Sequence, residues 1–119
     1  MVQLLTLDTV VLTTSQTKYT QEVNLSDIAE AAVLVTSSAG SITVTQQISF
    51  DSGANWYDIE DGAGNATGLV VATMTVGTKA TSENLKFAPS SRFKIVEGGT
   101  AGTNVIIKLA LKDKITKKE

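Results

Sequence analysis

The chain has 119 residues, of which 42% are hydrophobic, with ten Lys and Arg against twelve Asp and Glu, no histidine and no cysteine. That length predicts one domain that buries about two thirds of its unfolded surface without a metal or a disulfide. The composition excludes imidazole bases, imidazole metal ligands and thiol nucleophiles, and a net charge of −2 with a pI near 5.1 argues against electrostatic binding of nucleic acid.

The first segment, 1–12, is apolar on both sides of a strand alternation, through Leu4, Leu5, Leu7, Val10, Val11 and Leu12. A strand covered on one side has no need of that pattern. Either the segment is central in the fold or its second face is covered by another chain. These six residues are therefore the candidate assembly interface, with 1–12 as an assembly segment ahead of a domain over 13–111. The segment has neither a positively charged start nor a small-residue cleavage site, which predicts no signal peptide and synthesis in a cytoplasm. No apolar run is long enough to span a bilayer.

Further along, 19–25 reads as a strand. Around Leu25–Ala31, Ser26 or Asp27 followed by Glu30 fits a capped helical turn as well as a loop, and both readings stay open. A strand over 32–37 precedes the clearest signal in the chain, 42–50. There Ile42, Val44, Ile48 and Phe50 share one face, and Thr43, Thr45, Gln47 and Ser49 share the other. Gln46 interrupts the apolar face, so it either lies near a sheet end or hydrogen-bonds inside. Strands follow at 56–59, 70–76, 83–87, 92–97 and 105–111, the last with Val105, Ile107, Leu109 and Leu111 inward. Turn sequences such as Asp51-Ser52-Gly53-Ala54-Asn55 and Gly98-Gly99 separate them, and Pro89 falls between strands. Eight or nine short, evenly spaced strands predict an all-β, antiparallel two-sheet sandwich, jelly-roll-like, with minimal helix. The expected core is Ile42, Val44, Ile48, Phe50, Trp56, Phe93, Ile95, Ile107 and Leu109. The segment 112–119, with four lysines, reads as a basic, solvated tail.

Acid–base chemistry by paired carboxylates is the route left open, with Asp51, Asp58, Glu60 and Asp61 beside Trp56 and Tyr57. Turns favour acids in any case, and the expectation is that these are surface residues without a catalytic role. Asp58, Glu60, Asp61 and Asn65 offer oxygen ligands at a spacing that does not match the twelve-residue EF-hand loop. No metal or cofactor is expected. Trp56 and Tyr57 are adjacent and must point to opposite faces. Trp56 is expected in the core and Tyr57 on a sheet surface.

The succession Lys18-Tyr19-Thr20-Gln21-Glu22-Val23, then Ala32 to Val35, then Ile42 through Asp51-Ser52-Gly53-Ala54-Asn55-Trp56-Tyr57-Asp58, and later Pro89-Ser90-Ser91-Arg92-Phe93, resembles the small jelly-roll or sandwich proteins among the virion structural proteins of tailed bacteriophages. The resemblance spans about three quarters of the chain and carries no catalytic residues. It implies a capsid or tail accessory role, such as a decoration protein that cements a head lattice. The expected function is thus non-enzymatic and structural, located in the virion. The expected partners are further copies of the chain, a trimer being one form, and a major capsid or other virion protein, with no nucleic acid and no membrane. The alternative is a carbohydrate-binding or adhesion module that uses Trp56, Tyr57 and the acidic loop to hold a glycan.

Overall fold

A computed structural model describes residues 2–25, 28–38, 40–60, 63–64, 68–83, 90–99 and 102–113. The chain forms β1 (Val2–Thr6), β2 (Val10–Leu12), β3 (Thr17–Tyr19), β4 (Ile28–Ser37), β5 (Ile42–Ser49), β6 (Tyr57–Asp58), β7 (Leu69–Met74), β8 (Gly77–Glu83), β9 (Ser90–Glu97) and β10 (Thr103–Asp113). The pairings between these strands are antiparallel, and no helix occurs among the described residues. Where a helical turn or a loop was open at Leu25–Ala31, β4 begins at Ile28; Ser26 and Asp27 lie outside the described residues.

Two sheets of five strands face each other. The first runs β1-β10-β4-β8, with β2 continuing β1 along the same edge of β10; the second runs β3-β9-β5, with β6 and β7 both on β5. The chain crosses between sheets from β2 to β3, β3 to β4, β4 to β5, β7 to β8, β8 to β9 and β9 to β10. That is the order of a jelly roll. The turns after β2, β4 and β9 meet at one end, where Ser38 N donates to Asn104 O and Gly98 N to Ser41 O. The turns after β3 and β5 meet at the other end, where Gly53 lies against the Glu22 carboxylate.

The core follows from strict alternation. On β9, Ser91, Phe93, Ile95 and Glu97 are buried between less buried neighbours, and on β10 the expected Val105, Ile107, Leu109 and Leu111 are all buried. Ile42 and Val44 complete the facing layer from β5. Two expected core residues belong elsewhere, and a third is only half-buried. Ile48 sits near the rim of the sandwich and is half-buried. Phe50 is 82% exposed. The reason lies one residue earlier. Ser49 Oγ accepts from Gly53 N (2.8 Å) and donates to Asp51 Oδ1 (2.8 Å), so the chain already turns at Ser49 and Phe50 leaves the alternation. Trp56 is the third correction, described below.

Gln46 is only 1% exposed, and its Nε2 donates to the Oγ of Ser91 on β9 (2.9 Å), two residues from its register partner Phe93. Of the two possibilities, the internal hydrogen bond is the one realised. Its backbone is a branch point as well: Gln46 N donates to Gly68 O, and its carbonyl accepts from Ile59 N. Gly68 is obligatory there, since a Cβ would come within 2.8 Å of Ile59 Cβ.

Candidate functional site

Two surfaces stand out. The first is built by the N-terminal segment. Leu7 N donates to Ile107 O in the register of β1, in which the paired residue numbers sum to a constant, yet Val10 lies opposite Val105. Asp8 and Thr9 therefore face the single residue Ile106, which makes a β-bulge. The bulge's extra amide is not wasted, because Asp8 N donates to Gln21 Oε1 (2.7 Å). One inserted residue reverses which side chains point inward. Leu5 and Leu7 face the core before the bulge, and Val10 and Leu12 face it afterwards.

Four of the six candidate interface residues thus belong to this chain's own interior or pack against it, and the apolar character on both sides of the alternation is largely the signature of the bulge. Of segment 1–12, residues 2–12 form the edge of a sheet in the sandwich, with β1 and β2 on β10. Leu4 and Val11 remain outside, Leu4 at 80% exposure. Leu4 walls a groove of about 370 Å³ on the outer face, floored by Ala32, Ala80 and Ala110 and closed by Leu34 and Lys108. The groove exists because small side chains follow Leu4 across the sheet, Ala110 on β10 and then Ala32 on β4, while Leu34 stands in the next row between Lys108 and Ala80.

The edge itself has free backbone groups. With Leu7 bonded to Ile107, alternation makes Leu5 and Gln3 the residues whose amides and carbonyls meet β10. Those of Leu4 and Thr6 point away from the sheet, and no described strand pairs there. β1 has neither a charged residue nor a proline, whereas the opposite edge, β8, carries the exposed Lys79.

The second surface is the outer face of the other sheet. Trp56 is on that face and not in the core, because Asp58, two residues on, pairs with Gln47 there and Tyr57 pairs with the inward-phased Ile48. Tyr57 remains 55% exposed beyond the rim. The Trp56 indole N donates to Gly53 O (3.1 Å). The Arg92 guanidinium lies between the Tyr19 ring, at 3.8 Å from its centroid, and the Trp56 ring, at 4.3 Å. Each such contact contributes about 0.5–1 kcal/mol at a partly exposed position.

A chain of polar contacts crosses beneath the stack. Arg92 Nε donates to Gln47 Oε1 (2.8 Å), Gln47 Nε2 donates to Asp58 Oδ1 (2.7 Å), and Asp58 Oδ2 pairs with Lys94 Nζ (2.6 Å). Burial alone raises the Asp58 pKa, but the Lys94 and Gln47 hydrogen bonds outweigh it and hold the carboxyl below its usual range. Burial pulls the Arg92 guanidinium down, opposed by Tyr19 and Glu22; it stays charged all the same. Sequence reasoning missed Tyr19 and Arg92. Their spacing gives no signal, since only the β3-β9-β5 order brings them beside Trp56.

Among the described residues, Asp51 and Asp58 are each engaged separately. Asp51 accepts from Asn55 N (2.9 Å), Asn55 Nδ2 (2.6 Å) and Ser49 Oγ (2.8 Å), and these bonds, Asn55's first, lower its pKa. It is the staple of its own turn. Asp58 is committed to Lys94 and Gln47, so it is not the plain surface acid expected, and Glu60 is exposed. Asp61 and Asn65 lie outside the described residues. Among the described residues no three acidic side chains converge on a point a metal would occupy.

No protein-family model matches the chain, and no curated protein matches it. The fold is that of an all-β, two-sheet antiparallel domain.

Proposed function

We propose that this chain is a non-enzymatic structural protein of a virion, of the capsid-decoration kind, which self-associates through the β1 edge and docks on a major capsid or other virion protein. The observation that carries the proposal is Leu4: an 80% exposed leucine on an uncharged edge strand, with outward backbone groups and an apolar groove beside it. An edge of that kind favours pairing with a second β1. In an antiparallel pair centred on Leu4, Val2 of one copy faces Thr6 of the other, and the two grooves adjoin across the axis. The jelly-roll order is consistent with the resemblance to tailed-phage virion proteins. Light scattering on the intact chain tests the proposal. The expected result is an oligomer that Leu4→Lys converts to a folded monomer; a monomeric parent chain at high concentration contradicts it.

A second reading, a carbohydrate-binding module, is favoured by the exposed Tyr57 and by the Tyr19–Arg92–Trp56 stack on a face that β1 does not touch.

A further inference from the structure

Arg92 is held in place from three sides: a ring on each face and Gln47 on its Nε. Gln47 is itself fixed by Asp58, and Asp58 by Lys94. A guanidinium has five N–H donors. Of these, only Nε–H has a hydrogen-bond acceptor among the described residues, and none of those residues offers Arg92 an ion pair. The terminal edge of the fork, the part that binds carboxylates through two parallel bonds, is left over and already oriented. Ordering a flexible arginine is a cost this site meets before any ligand arrives.

We propose that Arg92 is the centre of a carboxylate-binding site whose ligand is a uronic-acid unit of an acidic polysaccharide. The inference rests on the second reading above and deepens it. The carboxylate engages the terminal nitrogens of Arg92, and the pyranose lies against the aromatic side chains that flank it. Tyr19 is exposed and Trp56 half-buried, so both retain open ring surface for sugar C–H groups. Glu22 is the opposing charge: it acts on Arg92 electrostatically without pairing with it and repels an incoming anion. It thereby weakens the site.

The test is a titration of the full chain with sodium glucuronate, glucose and N-acetylglutamate at constant ionic strength, following the Trp56 indole and Arg92 Nε–H signals by NMR. Glucuronate is expected to shift both signals. Arg92→Lys, which keeps the charge and loses the fork, is expected to weaken binding by roughly tenfold with little change in melting temperature. Glu22→Gln is expected to strengthen it. If Arg92→Lys binds glucuronate as well as the parent does, the fork plays no part and the inference is overturned. If glucose binds as tightly as glucuronate and ignores Arg92, the carbohydrate reading stands and the carboxylate site falls. If N-acetylglutamate matches glucuronate, the site is one for acidic peptides and the sugar assignment is overturned. If none of the three shifts either signal, the carbohydrate reading fails together with the inference.

Discussion

Leu7 and Val10 stand three residues apart, an odd spacing for one strand, yet both point into the same core. The bulge at Asp8 and Thr9 makes this possible, and it divides the N-terminal segment into side chains that hold the domain together and side chains left for other contacts. Leu7→Ala is expected to destabilise the domain by about 2–5 kcal/mol, because a packed side chain leaves a cavity. Leu4→Ala is expected to stay within about 0.5 kcal/mol for the monomer. Urea unfolding of the two variants checks the division; equal losses would place both residues in the same environment.

The same division decides how assembly is to be probed. Removing 1–12 takes Leu7, Val10 and Leu12 out of the core and strips an edge from β10. The truncated chain is expected to lose cooperative unfolding rather than persist as a soluble, non-assembling sandwich. A cooperative melt of the truncated protein would show that β1 and β2 are dispensable.

Gln46 and Ser91 form a buried polar pair, with Ser91 Oγ donating in turn to Gln47 O (3.2 Å). Replacing Gln46 with Ala leaves a cavity and removes a donor from Ser91 Oγ, and is expected to cost about 1–3 kcal/mol. Pairing Gln46→Leu with Ser91→Ala removes both polar groups, and the double variant is expected to be closer to the parent than Gln46→Ala is. Chemical denaturation of both checks this. A double variant that is the least stable would mean that the pair contributes more than satisfied hydrogen bonding.

Glu97 holds one end of the sandwich closed. It is 2% exposed, and its Oε1 accepts from Ser15 N (3.1 Å) and Gly99 N (2.5 Å), so one carboxylate ties the β2–β3 turn to the β9–β10 turn. Glu97→Ala deprives both amides of their acceptor and is expected to cost more than Glu97→Gln, which keeps a carbonyl oxygen. Thermal melts of the two variants order them; a reversed order contradicts this role.

Acid titration isolates the Asp58 network. The folded-state pKa of Asp58 lies below its unfolded value, so the stabilisation is complete above the ordinary carboxylate range near 3.9 and is lost as pH falls through the lower folded value. For a partly exposed ion pair the amount is about 1 kcal/mol or less. Asp58→Asn is expected to flatten that part of the stability profile, on the acid side of the ordinary carboxylate range. An unchanged acid limb would mean that other carboxylates carry it.

Most of the sandwich was legible because β-branched alternation directly reports a one-sided sheet. β9 and β10 follow it without interruption. Legibility failed where a local hydrogen bond or an extra residue changed the phase: Ser49 turned the chain ahead of Phe50, and the bulge made a one-sided strand look two-sided. Trp56 failed for a related reason. Adjacent residues must take opposite faces, but nothing in the pair says which is which until Asp58 is seen to pair with Gln47. The Tyr19–Arg92–Trp56 stack was illegible because it joins β3, β9 and the residue just ahead of β6, whose neighbour relations exist only in the sheet order.

Hydrogen exchange at β1 tests the central claim most directly. The amides of Leu5 and Leu7 face β10, and those of Leu4 and Thr6 face away from the sheet. If β1 pairs with another copy, the Leu4 and Thr6 amides become protected at concentrations where the protein is oligomeric and exchange freely in the Leu4→Lys variant, while Leu5 and Leu7 stay protected in both. Free exchange at Leu4 and Thr6 in the parent oligomer, beside protected Leu5 and Leu7, would contradict assembly through this edge.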